Sequence, residues 1–140
     1  MSLDVADPFV VTRYRDEFLA WIPGRVDILF ATRAELALLV GRDAEDLAIL
    51  QAASGLAPTV VMKVGKNGSY CLHRGAVARA EGVPTTVVDT TGAGDAFAAG
   101  FLYAQLNGQS PEEASAMGNT VAAMVVAVEG CRYDGVPRGV

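Results

Sequence analysis

The run Thr59-Val60-Val61-Met62-Lys63-Val64 constrains the fold of this chain more than any other stretch. It is β-branched and nearly continuous in apolar character, without the alternation of a sheet with one wet face, so it reads as a strand covered on both faces. Covering both faces takes helices, and the sequence places them on either side of the run. Asp7-Pro8 opens a helix, proline being tolerated in a first turn, and Pro23-Gly24 closes it after Trp21. Residues 26–30 then read as a short buried strand. Thr32 is an N-cap with Glu35 at capping-box spacing ahead of Leu36, Leu38, Leu39 and Val40, and Gly41 ends that helix. Asp43 and Glu45 open a further helix, carrying Leu47, Ile49 and Leu50 and closing near Gly55.

Beyond the run, Gly65-Lys66-Asn67-Gly68 has turn chemistry, and residues 69–73 and 76–80 read as strands joined through Arg74-Gly75. Residues 85–88 read as another extended piece. Two helices follow, one with Phe97, Phe101 and Ala104 on a face, the other after Ser110-Pro111 with Ala114, Met117, Val121, Val125 and Val128. This order predicts an α/β fold with a layered, partly antiparallel sheet.

Composition narrows the function. The 140 residues are 51% hydrophobic and 19% charged, and a chain of this length buries roughly 68% of its unfolded surface, enough for one core without disulfides. No linker or repeat divides it. With 11 Lys and Arg against 16 Asp and Glu, the net charge of −5 argues against a nucleic-acid partner or an anionic membrane surface. Cys71 and Cys131 fall in no CxxC or zinc-ligand pattern, and His73 is the single histidine, so buried free thiols are expected. Met1-Ser2-Leu3-Asp4 shows no basic segment leading into an apolar one. The longest apolar run, within residues 114–128, is interrupted by Gly118, Asn119 and Thr120 and falls short of the ~20 residues that span a bilayer. The expected setting is cytoplasmic.

The chemistry concentrates in Val87-Val88-Asp89-Thr90-Thr91-Gly92-Ala93-Gly94-Asp95-Ala96-Phe97. Small residues stand where an extended piece gives way to a helix, and unpaired N–H groups with the positive end of the helix dipole favour an anion there. Gly92 and Gly94 lack the Cβ atoms that would hold a phosphoryl group away. Asp95 adds a carboxylate beside the anion site, able to accept the proton of an attacking hydroxyl while the backbone donors neutralise the transferred group. The competing reading is that Asp95 only satisfies first-turn N–H groups. A dinucleotide fingerprint fails because Phe97 stands where GxGxxG needs its last glycine, and Gly65-Lys66-Asn67-Gly68 does not fit the P-loop pattern.

Asp89 to Phe101 resembles the second signature of the ribokinase-like (PfkB) family of carbohydrate and nucleoside kinases, close to D-T-x-G-A-G-D followed by small and apolar residues. Residues 26–35 resemble the strand leading to that family's N-x-x-E motif. Residues 60–68 are similar to the strand and turn that approach the nucleotide phosphates. The last helix, with Asn119, Ala122 and Ala123 followed by Glu129-Gly130, is similar to the family's adenine-side helix and closing loop. Asp7-Pro8-Phe9-Val10, the stretch from Arg13 through Phe18, and Gly100-Phe101-Leu102-Tyr103 look most like bacterial adenosine-kinase-like members.

The resemblance implies a ribokinase-like, Rossmann-like layered sheet, with residues 1–140 as the nucleotide-binding and catalytic C-terminal part. It implies an ATP- and Mg²⁺-dependent phosphotransferase acting on the hydroxymethyl group of a sugar or nucleoside. Asp95 then matches the general base, and Gly92, Ala93 and Gly94 the anion hole. Lys63, Gly65, Gly68, Asn119 and Ala123 match nucleotide-binding positions. Glu35 matches the acidic residue that holds Mg²⁺ through water, and Asp89 and Thr91 match positions near a monovalent-cation loop, where K⁺ would bind. Bland alternatives stand beside these: a capping-box partner for Glu35, a core hydrogen-bonding group for Asn119, a helix-entry cap for Asp89, solvated charges for Lys63 and Lys66. Thr32 departs from the pattern, which has Asn there.

Family members run to roughly twice this length, so the resemblance also implies that a substrate-binding and lid-bearing half is absent. Strands meant to pair with that half would be exposed edges, residues 59–64 among them, and self-association as a homodimer or larger assembly is expected. Alone, the chain is expected to bind nucleotide without turnover, as a non-catalytic module.

Overall fold

The computed structural model describes residues 1–128. Its middle layer is one five-stranded sheet in the order β1 (Ser2–Asp4), β2 (Ile28–Thr32), β3 (Thr59–Lys63), β4 (Ser69–His73), β5 (Ala76–Ala80). β1, β2 and β3 are mutually parallel, whereas β4 and β5 run antiparallel as hairpin additions. Helices α1 (Pro8–Arg13), α2 (Arg15–Trp21), α3 (Arg33–Val40) and α4 (Asp46–Ala52) precede or separate the parallel strands, and α5 (Ala93–Leu106) and α6 (Pro111–Val126) follow the sheet.

The two-residue period of a strand sorts the core into two halves. Leu29, Ala31, Val60, Met62 and Leu72 enter a cluster with Val11, Ile22, Leu36, Leu39, Ile49 and Leu50 from the first four helices and their ends. Phe30, Val61 and Cys71 enter a second cluster with Phe97, Phe101, Ala104 and Ala114 from α5 and α6. β3 is therefore covered on both faces, as its composition predicts. The Phe30 ring stands edge-on to Phe101 at 5.4 Å and to Phe97 at 6.2 Å between centroids, a favoured arrangement for ring quadrupoles. α5 and α6 approach closely because two glycines let them. A Cβ on Gly100 would lie 2.9 Å from the Met117 carbonyl oxygen, and one on Gly118 2.8 Å from the Phe97 ring. Cys71 is a buried free thiol, and burial pushes its pKa up to about 12 by disfavouring the thiolate. Cys131 and the expected closing loop at Glu129-Gly130 lie outside the described residues.

Local chemistry sets the boundaries. Asp7 caps α1 by accepting from the Phe9 and Val10 N–H groups. The predicted single helix over residues 8–21 is two helices, with a break at Tyr14, whose φ of −117° and ψ of 27° are not helical. The strand expected at residues 26–30 begins two residues later, because the Arg25 and Val26 N–H groups still bond to the Ile22 carbonyl and extend the helical turn. Asp43 does not open α4. It and Asp46 face Arg33 at 3.5 and 2.7 Å, and Glu45 is the cap residue without a side-chain bond. The 69–80 hairpin turns through Arg74 and Gly75 at φ of 48° and 86°, the double positive φ of a tight hairpin turn.

Three further expectations are corrected. β1 has no counterpart in the sequence reading, being three residues long and defined by its pairing with β2. Residues 85–88 form no strand; the Val88 and Asp89 N–H groups bond instead to the Val126 carbonyl at the end of α6, and Val87 and Val88 are exposed. Residues 59–64 are no exposed edge, because β3 is hydrogen-bonded on both sides, to β2 and β4. The sheet edges are β1 and β5.

Candidate functional site

In a parallel sheet, ligands meet the carboxyl ends of the strands, where helix N-termini gather. Here those ends are Asp4 on β1, Thr32 on β2 and Lys63 on β3, with Thr32 and Lys63 directly paired. The Lys63 Nζ donates to Asp4 Oδ2 at 2.9 Å, both side chains being largely buried. The first turn of α5 closes over this pair: a Cβ on Gly94 would lie 3.2 Å from the Lys63 Nζ and 3.6 Å from Asp4 Oδ2.

α5 enters from Gly92, in the left-handed region at φ 78°, and no side chain caps it. The preceding loop is fixed locally. Asp89 Oδ1 accepts from the Thr91 N–H at 2.9 Å and from its hydroxyl at 2.6 Å, and the Ala93 N–H donates to the Thr90 carbonyl. Among the described residues the Asp95 carboxylate accepts none of the first-turn N–H groups, and it is exposed. The competing reading, in which Asp95 merely satisfies those donors, thus lacks its hydrogen bonds. Asp89, by contrast, does make the helix-entry turn expected of the bland reading.

Beside this point lies an open cleft of about 500 Å³ lined by Thr32, Arg33, Lys63, Val64, Gly65 and Asn67, among others. A single 3-10 turn over Gly65–Asn67 forms part of its wall. Gly65 has φ 60° and open space where a Cβ would stand, whereas Gly68 is pressed against the chain after β5. Arg33 is committed elsewhere: its hydrogen bond to Asp46 raises its pKa further above the ordinary guanidinium value, despite an opposing desolvation. It also donates to the Ala44 carbonyl at 2.5 Å.

The structure does not bring every candidate together here. Glu35 is buried and forms the capping box, its Oε2 accepting from the Thr32 N–H at 2.8 Å while the Thr32 hydroxyl accepts from the Glu35 N–H at 3.2 Å. Asn119 is buried in α6 and donates to the Ala80 and Glu81 carbonyls at 3.2 and 3.0 Å, a core tie between α6 and the end of β5. Ala123, one turn on, offers its carbonyl to the Thr85 hydroxyl at 3.5 Å. Lys66 is exposed. Asp4 escaped sequence reasoning entirely, because its only signal was a polar residue ending a three-residue strand. Among the described residues no three His, Cys, Asp or Glu side chains gather to hold a metal. Among the described residues no helix is long and apolar enough to cross a membrane.

A layered α/β sheet whose parallel strands end beside a glycine-rich, uncapped helix N-terminus is the arrangement of α/β proteins built on a doubly covered, mainly parallel sheet. The comparisons give the family. The pfkB family carbohydrate kinase model matches residues 2–138, and the chain belongs to that family. It is 39% identical over 113 residues to an uncharacterised sugar kinase from Archaeoglobus fulgidus, covering 81% of this chain and 44% of that one. The adenosine kinase from Sinorhizobium meliloti superposes with a TM-score of 0.89 at 35% identity, covering 96% of this chain and 41% of that one. Arabidopsis thaliana ribokinase, solved with ribose and ATP, superposes with a TM-score of 0.73 at 29% identity over 92% of this chain and 42% of its own. The fold is accordingly ribokinase-like, and the chain spans about two-fifths of the length of these relatives.

Proposed function

We propose that residues 1–140 are the nucleotide-binding and catalytic part of an ATP-dependent phosphotransferase whose acceptor is the hydroxymethyl group of a sugar or nucleoside. The observation that carries this reading is the start of α5, uncapped, with Gly94 against the Lys63 ammonium and Asp95 uncommitted to any cap. In this reading the N–H groups at Gly92 and Gly94 face the γ-phosphoryl group, the one at Ala93 being turned to the Thr90 carbonyl so that Ala93 contributes only its small side chain, and Lys63 adds a positive charge beside them. The acceptor oxygen bonds to the γ-phosphorus as the bond to the bridging β–γ oxygen breaks. The acceptor proton passes to Asp95, and ADP leaves. Bound Mg²⁺ would neutralise charge on the phosphates. Such a cation keeps most of its waters, and Glu35, whose Oε2 is held by the Thr32 N–H in the α3 capping box, would meet it through one of them. K⁺ near Asp89 and Thr91 has weaker support, since those side chains already bond to each other. Among acceptors, the likeness to an adenosine kinase favours a nucleoside.

A second reading is favoured by Thr32: a short hydroxyl, engaged in the α3 cap, stands where the family carries Asn. The chain taken alone then binds nucleotide without turning it over. Association of copies, as a homodimer or larger assembly, would use the edges β1 and β5.

Calorimetric titration with a non-hydrolysable ATP analogue and Mg²⁺ tests the phosphate site. Saturable binding is expected, weakened by at least about 100-fold in Gly94→Val, whose side chain would occupy the place of the phosphoryl group and push Lys63 aside. No saturable binding by the unmodified chain, or equal affinities, would overturn the reading.

A further inference from the structure

Resting on that reading, we infer that Asp4 is a positioning residue that holds the Lys63 ammonium at the phosphate site. Two cations line the cleft, Arg33 and Lys63. Arg33 is anchored through Nε and Nη2 by Asp46, Asp43 and the Ala44 carbonyl, which leaves Nη1 as its unengaged nitrogen among the described residues. Among the described residues Lys63 is held by one carboxylate oxygen, and an ammonium has three donors, so two remain for phosphate oxygens.

Asp4 is itself fixed. Its Oδ1 accepts from the Ala6 N–H at 3.0 Å, while its Oδ2 takes Lys63, so the two oxygens are used in two directions. Ala6 stands at φ 68°, unusual for a residue with a Cβ, and the turn that contains it carries the chain from β1 into α1. A lysine side chain has four rotatable bonds and loses much rotamer freedom when it is held for a ligand. With side-chain exposures of 14% for Lys63 and 23% for Asp4, the pair fixes that geometry before nucleotide arrives. The lysine therefore stands beside Gly94 in advance, as a preorganised donor.

The role separates from simple support of β1 by a double-mutant cycle on binding of the Mg²⁺ complex of a non-hydrolysable ATP analogue, with thermal melts of each variant alongside. Asp4→Ala should weaken binding about tenfold, as an unrestrained lysine must be ordered by the ligand. Asp4→Asn, which keeps an acceptor oxygen, should recover most of that loss. In Lys63→Met the sign changes: Asp4 is then an unpaired carboxylate beside a polyphosphate, and Asp4→Ala should leave affinity unchanged or improve it. A merely structural Asp4 would weaken binding by the same factor in both backgrounds, and that result overturns the inference, as does an Asp4→Ala chain that binds like the unmodified one. Failure of the unmodified chain to bind overturns the nucleotide reading and the inference with it. Binding with additive losses overturns the inference alone.

Discussion

Asp95→Asn, in a full-length kinase containing this sequence, is expected to lower kcat by about 10²- to 10⁴-fold while leaving ATP affinity nearly unchanged. The exchange keeps the size and shape of the side chain but removes its ability to take a proton. The structure gives Asp95 no hydrogen bond to lose among the described residues, so its removal should cost the fold little. A loose phosphoryl-transfer transition state needs the proton removed only late, which suits a carboxylate as the acceptor of that proton. Steady-state kinetics with a saturating acceptor checks this, and a loss of less than threefold would remove Asp95 from the mechanism.

Gly68→Ala should be strongly destabilising for so small a change of side chain. Gly68 sits at φ 97°, a region that residues with a Cβ rarely enter, and an added Cβ would lie 2.0 Å from the Ala80 carbonyl oxygen and 2.7 Å from the Gly82 nitrogen. Both neighbours are backbone and cannot rotate away. Gly82 meets Lys66 in the same manner, with a Cβ position 1.9 Å from its carbonyl oxygen, so two glycines allow the β3–β4 turn to lie on the chain leaving β5. Strain and overpacking together should cost about 3 kcal/mol or more. Gly65→Ala, with φ 60° and open space, is the control and should cost about 1 kcal/mol. Denaturant midpoints compare the two, and equal losses would contradict the close approach. Gly68 thus has a steric reason to be glycine that does not involve a nucleotide.

Local signals carried much of this architecture in the sequence. Thr32 and Glu35 announced the α3 capping box, Arg74 and Gly75 the hairpin, and the unbroken apolar run of β3 its two-sided burial. What was illegible is non-local. β1 exists because residues 2–4 pair with β2, and three residues carry too little pattern to show it. Val87 and Val88 have strand-like composition, but the Val88 N–H, with that of Asp89, finds its partner carbonyl at the end of α6 rather than in a ladder. The same division runs through the site. The glycines and Asp95 could be read from spacing at a helix entry, whereas the Asp4 to Lys63 contact joins residues 59 apart. Glu35 and Asn119 show the converse: their types suited both a site and a structural bond, and the fold places each in a structural bond.

The proposed nucleotide-phosphate site joins the turn after β3 to the start of α5. Hydrogen–deuterium exchange of the 140-residue chain, with and without the Mg²⁺ complex of a non-hydrolysable ATP analogue, tests it most directly. Exchange is expected to slow in residues 63–68 and 92–96 together, with α1 and α2 unaffected. Saturable binding that leaves both segments unprotected, or that protects only the α3–α4 side of the sheet, would contradict it.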